Sequence, residues 1–168
     1  EHSGYHHGEV SLQTTIVNMA QNYVGSNNLS LFVPSGQFGT RLQNGKDHAS
    51  ARYIYTYLHP ITKFIYREED LPIVTYQDDD GMIIEPIYYV PIIPMILVNG
   101  AKGIGSGYST SIPQHNPKDI VNAIIQLIQG KSVNTIKPWF NGFKGTIEMF
   151  GEDQYSNKGK YQIIDDTS

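Results

Sequence analysis

At 168 residues, with no cysteine and a formal net charge of −4, the chain has room for one core or for one domain and part of another, and it carries neither a disulfide framework nor a thiolate metal site. Its longest apolar run, residues 88–98, is broken by Pro91 and Pro94 and is too short to cross a bilayer, and no signal-peptide pattern opens the chain, so no membrane partner is expected. The acids are unevenly spread: seven of the sixteen, and no Lys or Arg, fall between residues 68 and 90, which leaves the flanking stretches mildly basic and compatible with a polyanionic partner.

In chain order, the adjacent His6 and His7 come first. They have no His or Glu partner at i+4, so their spacing is not that of a zinc site. They read either as a surface pair or as hydrogen-bond donors to a phosphate at the helix N-terminus that follows. Over residues 10–24, Leu12, Ile16, Met19, Ala20 and Tyr23 recur at the spacing of one buried helical face, which predicts a helix. Polar Gly25-Ser-Asn-Asn closes it, and the alternation over residues 29–33 predicts a short strand before a turn at Pro34-Ser-Gly. Helix, polar loop and strand in this order suit a winged-helix design, a helix-turn-helix variant whose recognition helix enters the major groove.

Arg52-Tyr53 lies in the polar stretch Lys46-Asp-His-Ala-Ser-Ala-Arg-Tyr-Ile-Tyr-Thr. A phenol ionises near pH 10 and attacks phosphorus poorly at neutral pH, so a tyrosine nucleophile needs a neighbouring cation, and Arg52 can supply part of that charge. The alternative is an ordinary tyrosine, one of 12 in the chain. Residues 53–66 mix helical and strand periods, and Pro60 interrupts a long helix unless it sits in a first turn. Residues 73–76 and 82–85 flank Gln77-Asp-Asp-Asp-Gly, a hairpin signal through its Asp-Gly turn. The acidic cluster fails as a calcium loop, because Tyr76 and Ile87 would fall at essential ligand positions.

Residues 92–98 form a continuous apolar run that predicts a buried strand, followed by four glycines within residues 99–107, read as a loop. That loop matches neither the dinucleotide fingerprint nor Walker A. Ile104, between Gly103 and Gly105, reads either as a loop anchor or as an apolar wedge between base pairs. Asn116 as N-cap and Pro117 at the first helical position open a helix carrying Ile120, Val121, Ile124, Leu127 and Ile128, which ends at Gly130. A strand is expected just before Asp165-Asp-Thr-Ser, and the chain reads as a piece of a longer polypeptide.

Taken together, Gly4-Tyr-His-His-Gly-Glu, Met19-Ala-Gln-Asn-Tyr-Val-Gly-Ser-Asn-Asn, Gly36-Gln-Phe-Gly-Thr-Arg, Ala51-Arg-Tyr-Ile, Glu85-Pro, Tyr89-Val-Pro-Ile-Ile-Pro-Met and Asn99-Gly-Ala-Lys-Gly-Ile-Gly form an ordered series. It resembles the DNA breakage-reunion core of eukaryotic-type DNA topoisomerase II and, more distantly, the gyrase A subunit, from Tyr5 to the Phe143-Lys-Gly-Thr-Ile-Glu segment. The resemblance implies an α+β architecture: a winged-helix DNA-cleavage domain over residues 1–106, then a linker, a helix and the start of an α/β tower domain over residues 107–168.

The resemblance also implies the roles. Tyr53 would attack a backbone phosphate and hold the 5′ end as a phosphotyrosine ester, Arg52 would stabilise the transition state, and Ile104 would intercalate and bend the duplex. His6 and His7 would lie beside the scissile phosphate, with Tyr5, Ser11, Arg41 and Lys46 as further DNA contacts. Mg2+ and ATP would be bound by other domains, and Asp78 to Asp80 would be a hairpin turn with no metal ligand among them. The partners implied are double-stranded DNA and a second copy of the chain, in the nucleus of a cellular eukaryote or in an unspecified host compartment for a virus. The competing readings are a non-catalytic winged-helix DNA-binding module and a nucleotide-binding domain built on residues 100–107.

Overall fold

The computed structural model describes residues 3–152 and 154–164. The elements run α1 (Glu9–Ala20), β1 (Phe32–Ser35), 3-10 turns at Arg41–Gln43 and Ala51–Tyr53, β2 (Tyr55–Leu58) and α2 (Pro60–Ile65). A 3-10 segment, Glu68–Ile73, leads to β3 (Tyr76–Asp79), β4 (Met82–Pro86), α3 (Met95–Val98), β5 (Ala101–Gly105), β6 (Tyr108–Ile112), α4 (Pro117–Ile128), β7 (Thr146–Gly151) and β8 (Gln154–Lys158). The strands pair as four separate two-stranded antiparallel sheets, so the architecture is α+β as expected.

Helix α1 stops at Ala20, short of the expected Val24. Gln21 turns to extended backbone, and its buried side chain donates from Nε2 to the carbonyls of Phe38 at 2.9 Å and Gly45 at 3.1 Å. A buried amide with two carbonyl partners outweighs the next apolar residue of the helical pattern, Tyr23. The first strand is likewise displaced toward Phe32–Ser35, because the backbone of Leu29 is taken by the Asn99 side chain, which accepts from its N–H at 3.0 Å and donates to its carbonyl at 2.9 Å. Pro34 therefore lies within β1, opposite Thr56, in a two-stranded ribbon that tolerates a missing donor.

Residues 92–98 do not form the expected strand. Pro91 and Pro94 remove ladder donors, Pro94 starts α3, and Ile93 and Val98 bury themselves against Ile120 of α4. The glycine-rich stretch after them is an ordered hairpin, β5–β6, turning at Ser106-Gly107. The helical start at Asn116-Pro117 is as expected, with the Asn116 side chain accepting from the Lys118 amide at 3.0 Å. Pro60 occupies the first turn of α2, and the Asp80-Gly81 turn joins β3 to β4 with both residues at positive φ. No regular structure follows β8 over residues 159–164, so the late strand is absent there, and Asp165 to Ser168 lie outside the described residues.

Two small cores result. Val17 and Ala20 of α1 meet Phe38 and Ile54, flanked by Phe32 and Ala49; Ile93, Val98 and Ile120 form the other, flanked by Leu29, Met95 and Ile124. Each buried Val, Ile or Phe contributes about 1.5–3 kcal/mol. Asn28 stitches the halves together: its Nδ2 lies 3.0 Å from the carbonyls of Val98, His115 and Trp139, and its Oδ1 accepts from the Asn141 amide at 2.8 Å.

Candidate functional site

Tyr53 ends a single 3-10 turn whose next residue, Ile54, is buried among Val17, Ala20 and Phe38. Gly36 makes room for that anchor: at φ 113 it approaches the Ile54 side chain so closely that a Cβ would lie 2.8 Å from Cγ2. Sequence therefore holds the tyrosine by its neighbour and leaves Tyr53 itself 67% exposed. The Arg52 guanidinium lies over its ring, with Cζ 4.9 Å from the centroid. At an exposed site such a cation–π pair contributes about 0.5–1 kcal/mol.

The candidate phosphate contacts are placed differently from one another. Arg41 is exposed but partly committed, donating from Nη1 to the Val24 carbonyl at 2.9 Å. Lys46 is exposed, with its amide bonded to the Gln43 carbonyl at 3.1 Å. Next to Lys46, Asp47 accepts from the hydroxyl and the amide of Thr40, both at 2.7 Å, and these bonds hold its carboxyl below the usual range. The loop that carries the cations is thus pinned by a side chain that has no free role of its own.

His6 and His7 are exposed ahead of α1, their rings 4.4 Å apart and tilted, with the Tyr5 ring edge-on to His7 at 5.7 Å. Tyr5 donates from its hydroxyl to the Gly8 carbonyl at 3.2 Å. Gly8 caps the helix without a side-chain hydrogen bond, which suits the amides of that first turn to an anion, although Glu9 stands in the same turn. Ser11 is exposed one turn in, its amide bonded to Gly8. Ile104 projects from β5 opposite Ser109 and is 87% exposed, so it anchors no loop on the core.

The segment that carries Tyr53 is joined to the middle of α1 through the first core: Gln13, Ile16 and Val17 of α1 line one small cavity with Ala51, Ile54 and Tyr55. Ile104 sits on a separate hairpin joined to the second core. Among the described residues no group of three or more His, Asp or Glu side chains is gathered to hold a metal, and Asp78 accepts from the Gly81 amide at 2.9 Å as a turn residue. Sequence reasoning missed Gln21, Asn28, Asn99 and Glu85, whose side chains bind backbone groups up to 113 residues away. The only signal for them was their place inside the ordered motifs.

A helix with a two-stranded ribbon packed on it, presenting an exposed tyrosine under a guanidinium, defines a helix-and-wing class of protein. The family model for the DNA gyrase/topoisomerase IV A subunit matches residues 2–168, and the chain belongs to that family. It is 53% identical to the DNA topoisomerase 2 of Bombyx mori over 164 residues, 98% of this chain and 10% of the relative. It is 54% identical to that of Acanthamoeba polyphaga mimivirus over 160 residues, 95% of this chain and 13% of the relative. The crystal structure of the Plasmodium falciparum topoisomerase II DNA-binding, cleavage and re-ligation domain matches with a TM-score of 0.92 and 51% identity, covering 98% of this chain and 22% of that one. The chain thus spans only a small part of the length of its relatives, and its fold is that of this domain.

Proposed function

We propose that these residues are the breakage-reunion segment of a type II DNA topoisomerase that opens a duplex through a tyrosine ester and passes a second duplex through the gap. The observation that carries this reading is the exposed Tyr53 beneath the Arg52 guanidinium, 4.9 Å from the ring centroid, in a chain of this family. The Tyr53 oxygen attacks a backbone phosphorus and loses its proton as the O–P bond forms. The 3′ oxygen departs and takes up a proton, and the 5′ end remains as a phosphotyrosine ester. One phosphodiester replaces another, so resealing is the same step reversed. Arg52 stabilises charge on the phosphoryl oxygens, and His6 and His7 donate to the same phosphate from the start of α1. Tyr5, Ser11, Arg41 and Lys46 contact the backbone, which fixes register without reading sequence. Ile104 enters between base pairs and bends the duplex.

Residues 1–106 form the winged-helix cleavage domain in this reading, and residues 107–168 lead into a tower domain. Mg2+ and ATP, the cofactors of the whole enzyme in this reading, bind elsewhere in the polypeptide. The enzyme acts as a homodimer, one tyrosine per strand, and in a cellular eukaryote it acts in the nucleus. The test is adduct trapping by denaturation in the full-length polypeptide. Tyr53→Phe is expected to abolish covalent protein–DNA adducts while leaving duplex affinity within about twofold, because the change removes only the attacking oxygen. Adducts formed by the Phe variant would refute the assignment.

A further inference from the structure

Residues 3–8 carry Tyr5, His6 and His7 to the start of α1 as a strap without regular structure. Its internal contacts are local: Tyr5 to Gly8, His6 Nδ1 to the Gly4 carbonyl at 3.1 Å, and the tilted pair of imidazole rings. Among the described residues, the hydrogen bonds that tie this strap to a distant part of the fold converge on one group. The Gly4 amide donates to both carboxylate oxygens of Glu85, at 3.0 Å to Oε1 and 2.9 Å to Oε2, across 81 residues of sequence. A bond from an amide to an ionised carboxylate is about twice as strong as a neutral one.

The strand that carries Glu85 is shaped for this contact. Tyr76 pairs with Pro86 and Asp78 with Ile83, so two residues of β4, Ile84 and Glu85, oppose the single Gln77 of β3. In a regular strand neighbouring side chains point to opposite faces, whereas a bulge of this kind re-aims one of them. Here both reach Gly4: a Cβ on that glycine would lie 3.0 Å from Ile84 Cδ1 and 3.4 Å from Glu85 Oε1. The strap therefore lies against the bulge with no room to spare.

We propose that Glu85 is a positioning residue for strand cleavage, a clasp that fixes where His6 and His7 meet the phosphate attacked by Tyr53. This rests on the reading of Tyr53 and the histidine pair given above. Glu85 touches neither reacting atom; it sets the strap, and the strap sets the imidazoles. Without it the histidines remain attached to α1 but lose their distant anchor, and a displacement near 1 Å at a reacting centre costs about 100-fold in rate.

In the full-length polypeptide, Glu85→Ala is expected to slow single-turnover adduct formation about 100-fold while duplex affinity stays within about threefold and the melting temperature is unchanged. Glu85→Gln keeps a carbonyl oxygen for the Gly4 amide and is expected to come back to within about tenfold of the parent rate. In a His6→Ala, His7→Ala background, adding Glu85→Ala is expected to slow cleavage no further, since the clasp acts through those side chains. The proposal is overturned if Glu85→Ala cleaves within about twofold of the parent, if the Gln variant is as slow as the Ala variant, or if the loss persists in full without the histidines. A fall in melting temperature with a matching fall in affinity also overturns it, by assigning Glu85 to folding. Tyr53→Phe run in parallel separates the two readings. Adducts from that variant defeat the nucleophile assignment, whereas their loss beside an unimpaired Glu85→Ala defeats the clasp alone.

Discussion

Ile104 exposes 87% of its surface on a strand whose partner there is Ser109, so its side chain contributes almost nothing to the core. Ile104→Ala should cost less than about 0.5 kcal/mol of stability. If the isoleucine unstacks a base step, the same variant should lose DNA bending and most of its cleavage in the full-length polypeptide. Thermal unfolding and a fluorescence bending assay on one preparation check both; unchanged bending would remove Ile104 from the interface. The polar stretch leading to Arg52-Tyr53 pointed to an exposed tyrosine, whereas Ile104 between two glycines read either as a loop anchor or as a wedge, and its exposure in the structure decides against the anchor. Glu85 was not legible as a contact. Its carboxylate is aimed by a one-residue bulge at an amide 81 positions earlier, and neither the bulge nor the partner leaves a local trace.

Elements were readable where one signal acted alone. Asn116-Pro117 opens α4 and Asp80-Gly81 closes the β3–β4 hairpin, each through backbone preferences that local sequence states outright. Two misreadings fall where a distant side chain decided the backbone. Gln21 ends α1 through bonds to Phe38 and Gly45, and Asn99 withdraws Leu29 from the strand. The apolar run before Asn99 looked like a strand by hydrophobicity, but its two prolines turn it into a loop and a short helix. Asn28 is the most consequential of these amides, since its two N–H donors are shared among three carbonyls and its oxygen holds Asn141. Asn28→Ala removes the partner of these four backbone groups and is expected to cost at least about 4 kcal/mol, from about 1–3 for each unsatisfied group. Denaturant unfolding checks the figure, and a loss below about 1 kcal/mol would show that the halves are held together without it.

At the scale of the whole molecule, the two cores are small and the candidate DNA contacts are few. Arg41, Lys46 and Arg52 are the cations proposed to meet the backbone, and three phosphate contacts correspond to a slope of about −2.7 in log affinity against log salt. The isolated 168-residue chain is therefore expected to bind duplex DNA weakly, with a slope no steeper than about −3, and to form no covalent adduct, because these charges fall short of what a phosphoryl transition state and an ionised phenol require. Titrations at several salt concentrations and denaturing gels with Mg2+ test both statements; an adduct from this chain alone would show that its own side chains complete the site. Ile54, wedged between Val17, Ala20 and Gly36, ties the tyrosine beside it to α1 as one rigid piece. Such a piece works as a ruler. Under the proposed function, with α1 seated in a groove, the distance along the duplex from that seat to the opened bond would be set by the protein, so base sequence would alter how often a site is chosen but not where inside it the strand parts.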